Sequence, residues 1–210
     1  MDQDSLFNSY FVPDSFKVIG EPIIQFQSIP KTKNPKSDWI FFTSKNAVHY
    51  FFEANYPIEN RKIACIGEGT KRTLSKFCTN IDFIGQSKDI KKVGQDFCDV
   101  LKDNTCLFPI SNISKRTVQR QLKNKEQAID LIVYNTFPKE DIVKLHEDIV
   151  IFTSPSNAAA YLKNHVIAEN QKIIAIGKST ADQLAALGTE NVTTAKQVSE
   201  LGMIDAMLSV

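Results

Sequence analysis

The sequence predicts an α/β protein made of two similar parallel-sheet domains. Three observations support this fold class: an internal repeat, continuous apolar runs that each lead into a helical pattern, and two stretches that contain proline and lysine without apolar periodicity. A chain of 210 residues, 42% hydrophobic and 23% charged, is long enough for two domains of about 100 residues each. The same composition excludes general disorder.

The repeat keeps one constant offset along the chain. Phe42-Thr43-Ser44 recurs as Phe152-Thr153-Ser154, and residues 62–74 recur in the same register as residues 172–184, with six identities in thirteen positions. Unrelated segments of average composition would share about one identity over that length. We therefore expect the two copies to have the same local structure.

Each copy begins with a buried strand that leads into a helix. Trp39–Phe42 and Ile149–Phe152 are wholly apolar, which is typical of a parallel strand covered on both faces. Ser44 and Ser154 follow as N-cap residues, because a serine oxygen can accept a hydrogen bond from an unpaired amide of the first helical turn. The second half of each copy has the order strand, glycine, threonine and helix. In the first copy these are residues 63–66, Gly67 and Thr70, and in the second copy they are residues 173–176, Gly177 and Thr180, each followed by a helix.

The alternation of strands and helices continues outside the repeat. Further strands are predicted at residues 22–27, 81–84, 106–110, 129–134 and 191–194. Helices are predicted at residues 89–101, 115–122, 140–146 and 198–208. Five strands between Trp39 and Tyr134 complete one flavodoxin-like domain, so the remaining strands must form a second one from both ends of the chain.

The two stretches without apolar periodicity, residues 29–36 and 135–139, mark the crossings between the domains. We expect a discontinuous domain 1 at residues 1–31 and 137–210, and a continuous domain 2 at residues 36–134. The linkers at 30–36 and 135–138 would then form a double hinge, with the ligand cleft between the domains.

Charge and residue usage exclude several classes of function. A net charge of +1 gives no bulk electrostatic basis for binding nucleic acid. No apolar run approaches the roughly 20 residues of a membrane span, and the acidic residues 1–4 do not resemble a secretion signal. The four cysteines and three histidines have no metal-ligand spacing, so we predict buried free thiols and no metal. We expect a cytoplasmic protein, a monomer, that binds neither nucleic acid nor a membrane.

The repeated hydroxyl residues and glycines follow the carboxyl ends of the strands, where open parallel sheets bind their ligands. Helix N-termini at that edge present unpaired amides and a partial positive charge, so the sequence predicts an anionic ligand. Alternatively, each of these residues is simply a helix cap. No paired carboxylates, Ser-His-Asp order or glycine-rich phosphate loop is present. The residues assigned to ligand binding are Ser44, Lys45, Gly67, Ser111, Ser154, Gly177, Lys178 and Thr180.

Six segments, in this order, resemble the uroporphyrinogen-III synthase family. They are Phe42-Thr43-Ser44-Lys45-Asn46-Ala47-Val48, Ile66-Gly67-Glu68-Gly69-Thr70, Leu107-Phe108-Pro109, Val133-Tyr134-Asn135-Thr136, Phe152-Thr153-Ser154-Pro155-Ser156 and Ala175-Ile176-Gly177-Lys178-Ser179-Thr180. The resemblance covers roughly residues 22–210. It implies two flavodoxin-like domains and a lyase without a cofactor. The substrate would be hydroxymethylbilane, a linear tetrapyrrole with eight carboxylates, which is closed with loss of water and inversion of the last pyrrole ring.

The resemblance also implies roles for individual residues. Tyr134 matches a tyrosine that faces the cleft and would assist departure of the substrate hydroxyl, and Thr70 matches a threonine that would help the same step. One alternative is that Tyr134 is simply a core residue at the end of a strand. A separate alternative is that the whole chain is an inactive homologue that binds tetrapyrroles without converting them. Two features depart from the family pattern. No segment before Pro22 matches the family's first strand ending in Thr-Arg or Ser-Arg, so we expect either that residues 6–12 replace it or that domain 1 is abnormal. Ser111 stands where glycine is frequent.

Overall fold

The computed structural model describes residues 5–7, 17–139 and 147–210. The strands in these ranges are β1 (Ile24–Ser28), β2 (Trp39–Phe42), β3 (Lys62–Cys65), β4 (Phe83–Ile84), β5 (Cys106–Ser111), β6 (Ala128–Pro138), β7 (Ile149–Phe152), β8 (Lys172–Ala175) and β9 (Val192–Thr194). The α-helices are α1 (Lys45–Glu53), α2 (Glu68–Leu74), α3 (Ile90–Leu101), α4 (Pro155–Leu162), α5 (Lys178–Ala186) and α6 (Glu200–Met207).

The described strands form two sheets, and the chain divides into two compact units. Unit 1 comprises Met1–Gln25 and Phe137–Val210, and unit 2 comprises Phe26–Thr136. The larger sheet has the order β1-β6-β5-β2-β3-β4, and the smaller sheet has the order β7-β8-β9. From β2 to β6 the pairings of the larger sheet are parallel, as are both pairings of the smaller one. The predicted α/β class with parallel sheets is confirmed.

The sheet of unit 2 is covered on both faces, as the apolar sequence of β2 predicts. On one face, the Phe41 ring packs against Phe97 of α3 and Phe108 of β5, with ring centroids 4.6 and 5.6 Å apart. On the opposite face, the Phe42 ring meets Phe51 of α1 at 5.3 Å. All four residues of β2 are buried. Burial of this kind stabilises the fold by roughly 1.5 to 3 kcal/mol for each large apolar side chain.

The sequence repeat is reproduced as a structural repeat. In unit 2 Trp39 is paired with Lys62, and in unit 1 Ile149 is paired with Lys172, so the two registers coincide at the offset of the sequence repeat. The helices α3 and α6, which begin at Ile90 and Glu200, are related by the same offset. One difference is burial: three of the four residues of β7 are only half-buried, whereas β2 is fully buried.

The strand predicted at residues 22–27 belongs to a different sheet from the one expected. The sequence assigns it to domain 1, but the structure places β1 beside β6 in the six-stranded sheet. The Ile29 amide donates to the Val133 carbonyl (3.2 Å) and the Lys139 amide donates to the Ile23 carbonyl (3.0 Å), which makes the pair antiparallel. The physical reason is the outer edge of β6, whose backbone groups need partners that β1 supplies.

The two segments predicted as linkers differ in structure. Residues 135–138, expected as an irregular linker, continue the extended backbone of β6. Residues 30–36 have no regular secondary structure, as expected. They are attached to unit 2 through Thr32, whose amide donates to the Tyr56 hydroxyl (2.8 Å). Only the first predicted linker is therefore irregular, and it lies within unit 2.

Three other predicted elements differ from their expected form or lie partly outside the described ranges. The helix predicted at residues 115–122 is reduced to a 3-10 turn at Gln119–Gln121, because Arg116 has a φ of +52°, outside the right-handed helical region. The helix predicted at residues 140–146 lies outside the described residues. Of the candidate strand at residues 6–12, only Leu6 and Phe7 are described, and their backbone is helical. Phe7 is buried in the core of unit 1.

Candidate active site

The carboxyl ends of the parallel strands bring the predicted site residues together within each unit. We call the end of β2, β3, β5 and β6 the carboxyl edge of unit 2, and the same end of β7 and β8 the carboxyl edge of unit 1. The first edge carries Ser44, Lys45, Gly67, Thr70, Ser111 and Tyr134. The second edge carries Ser154, Gly177, Lys178 and Thr180.

The two serines of the repeat cap their helices with nearly identical geometry. Ser44 Oγ accepts a hydrogen bond from the Ala47 amide (3.0 Å), and Ser154 Oγ accepts one from the Asn157 amide (3.1 Å). Their backbone angles are φ −160°, ψ 160° and φ −162°, ψ 157°. Each serine is therefore a helix cap, as the simpler interpretation predicts. A capping hydroxyl keeps its own proton, so it can still donate to an anion.

Removing either cap should lower stability. We expect Ser44→Ala and Ser154→Ala each to reduce the free energy of unfolding by about 1 kcal/mol, because one first-turn amide loses its acceptor. Ser44→Asp is the matched variant, since it keeps an acceptor and should retain stability. Denaturant unfolding of the three variants measures the effect. Equal stability of Ser44→Ala and the parent protein would contradict the capping role.

The glycines of the repeat begin the next helices without a side-chain cap. Gly67 and Gly177 have extended backbones, and their carbonyls accept hydrogen bonds from the Thr70 amide (3.1 Å) and the Thr180 amide (3.0 Å). Neither helix start has a side-chain acceptor among the described residues. The first amides of α2 and α5 thus keep the partial positive charge that attracts an anion, although Glu68, paired with Lys71, adds a carboxylate to the first turn of α2.

The threonines of the repeat are the third residues of α2 and α5, and both are buried. Thr70 is 5% exposed and Thr180 is fully buried. Thr180 Oγ1 has no hydrogen-bond partner among the described residues. Leaving a buried hydroxyl unpaired costs about 1 to 3 kcal/mol. Both side chains lie beneath the helix starts rather than on the surface.

The two lysines of the site are exposed and differ in their surroundings. Lys178 Nζ forms an ion pair with Asp182 one turn later (3.0 Å), and its side chain is 88% exposed. Lys45 is the first residue of α1, and its Cε lies beside Gly69 in the first turn of α2. The Lys45 side chain therefore adds a positive charge where α1 and α2 both begin.

Ser111 and Tyr134 are neighbours in the sheet. They are paired across β5 and β6, next to a register shift between Ile110 and Ser111, and the Asn112 amide donates to the Tyr134 carbonyl (3.3 Å). Ser111 is buried and has no positive φ, so this position needs no glycine. The difference from the family pattern at Ser111 is accommodated without backbone strain.

The Tyr134 side chain is enclosed by two aromatic rings. It is only 7% exposed, stacks on Tyr50 of α1 with ring centroids 4.9 Å apart and planes 21° apart, and meets the edge of Phe26 at 5.9 Å. Among the described residues its hydroxyl has no hydrogen-bond partner, so the group can donate to a ligand. Tyr50 is not evident as a site residue from the sequence, because nothing in the pattern of α1 distinguishes it from an ordinary helix residue.

The family of this chain follows from its similarity to known proteins. The family described as uroporphyrinogen-III synthase HemD has a sequence model that matches residues 13–205. The chain belongs to the uroporphyrinogen-III synthase family. The resemblance inferred from the six sequence segments is thus confirmed.

Individual members of the uroporphyrinogen-III synthase family agree with this assignment. A protein of Methanocaldococcus jannaschii with the provisional name uroporphyrinogen-III synthase is 29% identical over 195 residues, covering 82% of this chain and 78% of its own. The crystal structure of uroporphyrinogen-III synthetase from Helicobacter pylori 26695 has a TM-score of 0.74 and 25% identity, covering 89% of this chain and 90% of its own. A mutant uroporphyrinogen III synthase from Thermus thermophilus has a TM-score of 0.56 at 16% identity, covering 90% and 88%, and supports the fold alone.

Two further properties of this family member concern metals and membranes. In the described ranges, no group of three or more His, Cys, Asp or Glu side chains is arranged to hold a metal ion. In the same ranges, no helix has the length and apolar character needed to cross a membrane. All four cysteines are free thiols; Cys65, Cys98 and Cys106 are buried as predicted, whereas Cys78 is only half-buried.

Burial should keep two of these thiols unreactive. It raises the pKa of the Cys65 thiol to about 11 and that of the Cys106 thiol well above its ordinary value. We expect neither thiol to react with iodoacetamide at pH 8 while the protein is folded, because the thiolate is the reactive form. Mass spectrometry of the cysteine peptides measures this, with urea-unfolded protein as the control that labels all four. Rapid labelling of Cys106 in the folded protein would contradict the expected protection by burial.

Proposed function

We propose that this chain is an active uroporphyrinogen-III synthase. Its substrate is hydroxymethylbilane, a linear tetrapyrrole, which it closes into a ring with inversion of the last pyrrole and loss of one water. The observation that carries the proposal is the match to the family over residues 13–205. The similarity to the Helicobacter pylori enzyme, over about nine-tenths of both chains, supports it.

The charge of the substrate is complementary to the helix starts. Hydroxymethylbilane carries eight carboxylates, and α1, α2, α4 and α5 all begin at the carboxyl edges of their units. An anion near a helix N-terminus is stabilised by about 0.3 to 1 kcal/mol at an exposed site. Several such contacts, with Lys45 and Lys178, bind a polyanion without any single strong site. The proposed binding residues are therefore those of the two carboxyl edges, including Ser44, Ser111 and Ser154.

Catalysis in this proposal consists mainly of holding the substrate in one conformation. Loss of the hydroxyl group leaves a reactive azafulvene, which closes without inversion when it is unguided. Binding the carboxylates at fixed positions restricts the chain to the geometry that leads through the spiro intermediate, and such positioning can supply several kcal/mol. No cofactor takes part in this reaction.

Tyr134 is the proposed proton donor to the departing hydroxyl. Its phenol is free of protein hydrogen-bond partners in the described part of the chain, and its ring is held in place by Tyr50 and Phe26. The hydroxyl leaves as water once it has gained this proton, which leaves Tyr134 as a phenolate. The proton that the pyrrole loses on ring closure then reprotonates Tyr134. Thr70 is proposed to assist, with its buried position limiting it to orienting the first turn of α2.

The product isomer tests the proposal. Freshly prepared hydroxymethylbilane is incubated with the protein, the porphyrinogens are oxidised, and the type I and type III isomers are separated. We expect type III as the main product, whereas heat-denatured protein should give type I only. Type I alone from the folded protein, with the ligand bound, would show instead a homologue that binds tetrapyrroles without converting them.

Ligand affinity should decrease as salt increases. Contacts between carboxylates and exposed helix starts or lysines are screened over about 8 to 10 Å at physiological ionic strength. We expect the Kd for hydroxymethylbilane to rise at least severalfold between low salt and several times physiological salt, measured by rapid-mixing fluorescence. An unchanged Kd over that range would contradict the proposed anion-binding role of the two edges.

A further inference from the structure

The ring of Tyr134 is held on two sides by side chains of unit 2. Tyr50 lies against its face, at a centroid distance of 4.9 Å and an angle of 21°, and Phe26 meets it edge-on at 5.9 Å and 64°. The backbone of Tyr134 is fixed as well, because it is paired with Ser111 in the sheet. Rotation of the phenol ring out of its plane would break the stack with Tyr50.

Of the two neighbours, Tyr50 is the more firmly anchored. It lies in the middle of α1, its carbonyl accepts a hydrogen bond from the Ala54 amide (3.1 Å), and the adjacent Phe51 is fully buried. Phe26 is 45% exposed and lies on the outermost strand of the sheet. Offset aromatic stacks contribute about 0.5 to 1.5 kcal/mol beyond the area that they bury. The orientation of Tyr134 therefore depends mainly on Tyr50.

We propose that Tyr50 is a positioning residue for Tyr134, its stacked ring fixing the plane of the Tyr134 ring and so the direction in which the phenol donates its proton. This inference rests on the proposed function, in which Tyr134 is the donor. It assigns Tyr50 no contact with substrate. The same helix thus binds an anion at its start, through Ser44, and orients the donor from its middle.

The electrostatics of Tyr50 agree with close coupling of the two phenols. Burial raises the pKa of Tyr50, and the charges of Glu53 and of an ionised Tyr134 raise it further. Among the described residues, the polar groups beside Tyr50 are Glu53 and His49 on its own helix and Tyr134 on β6; Phe26 of β1, which contacts Tyr134, carries no charge. A change at Tyr134 should therefore be detectable in the titration of Tyr50.

Two variants of Tyr50 separate its ring from its hydroxyl. Tyr50→Leu removes the stack, and we expect kcat to fall about five- to twentyfold with KM changed less than twofold, since misplacing a catalytic group by a fraction of an ångström has effects of this order. Tyr50→Phe keeps the stack and should retain kcat within threefold. Equal losses in Tyr50→Leu and Tyr50→Phe, or an unchanged kcat in Tyr50→Leu, would overturn the proposal.

Phe52 provides the matched control on the same helix. It is half-buried and stacks on Phe77 with centroids 4.2 Å apart, but makes no ring contact with Tyr134. Phe52→Leu should lower the free energy of unfolding about as much as Tyr50→Leu, while its kcat stays within twofold of the parent protein. A similar loss of kcat in both variants would mean that damage to α1, and not the orientation of Tyr134, lowers the activity.

The double variant distinguishes failure of this inference from failure of the proposed function. If Tyr50 acts through Tyr134, Tyr50→Leu should lower kcat no further in a Tyr134→Phe background. A further tenfold loss there would overturn the inference and leave the role of Tyr134 intact. Full activity of Tyr134→Phe by itself would overturn both assignments.

A titration provides a readout independent of activity. The protein is labelled with 3-fluorotyrosine, the resonances of its five tyrosines are assigned by substitution, and the fluorine spectrum is followed with pH. We expect Tyr50 to titrate at a lower pH in Tyr134→Phe than in the parent protein, because one of the charges that raise its pKa is gone. An identical titration of Tyr50 in the two proteins would contradict the close contact between the Tyr50 and Tyr134 phenols on which the proposal depends.

Discussion

Replacing Tyr134 by phenylalanine should lower turnover of hydroxymethylbilane by about ten- to a hundredfold. The substitution removes one hydroxyl and keeps the ring, so the stack on Tyr50 and the contact with Phe26 remain. If the hydroxyl donates a proton in the transition state, the loss falls in the range known for a positioned acid or hydrogen-bond donor. Single-turnover kinetics with freshly prepared substrate measure the change directly.

Two further properties of the Tyr134→Phe protein identify the cause of the loss. The product should still be the type III isomer, because folding of the substrate is assigned to the helix starts and not to this residue. The melting temperature should be near that of the parent protein. Unaltered turnover in a sample with that melting temperature would make Tyr134 a core residue at the sheet edge and leave catalysis to conformational control.

Truncating Phe41 to alanine should destabilise unit 2 by about 3 to 5 kcal/mol. Its side chain is fully buried and contacts the rings of Phe97 and Phe108, so its removal leaves a cavity in a rigid aromatic cluster. Trp39 is the single tryptophan of the chain and packs on Phe97 at 5.5 Å. Tryptophan fluorescence during denaturant unfolding therefore reports on the unit that carries the substitution.

The structural repeat supplies the control for this experiment. Ile151 occupies in β7 the position that Phe41 occupies in β2, but it is only half-buried. We expect Ile151→Ala to cost about 1 to 2 kcal/mol, because less apolar surface is lost. Circular dichroism follows its unfolding, since the tryptophan lies in the other unit. A larger loss of unfolding free energy in Ile151→Ala than in Phe41→Ala would contradict the observation that β2 is more deeply buried than β7.

The features that the sequence predicted well are those with a local cause. A run of four apolar residues in β2 and the serine two positions after it determine a strand and a capped helix. The same order recurs in β7 and Ser154, although most of β7 is only half-buried. The same order of residues at Gly67 and Gly177 predicts the next strand and helix. These elements depend on hydrogen bonds and burial within a few residues, so composition and spacing suffice to locate them.

The features that the sequence did not predict depend on contacts between distant residues. The partner of β1 is decided by the free edge of β6, far along the chain, and no local pattern of residues 22–27 specifies it. The helix expected at residues 115–122 is interrupted by the backbone of Arg116, whose residue type gives no sign of a positive φ. Tyr50 becomes informative only once β6 places Tyr134 against it.

The unequal burial of β2 and β7 has a consequence for the lifetime of the protein. Proteases and hydrogen exchange act on whichever part opens most often, and the frequency of opening follows local stability. With β2 enclosed and most of β7 half-buried, unit 1 should open more often than unit 2. Degradation would then begin at unit 1, and filling the core around β7 should prolong survival in the cell more than any improvement around β2.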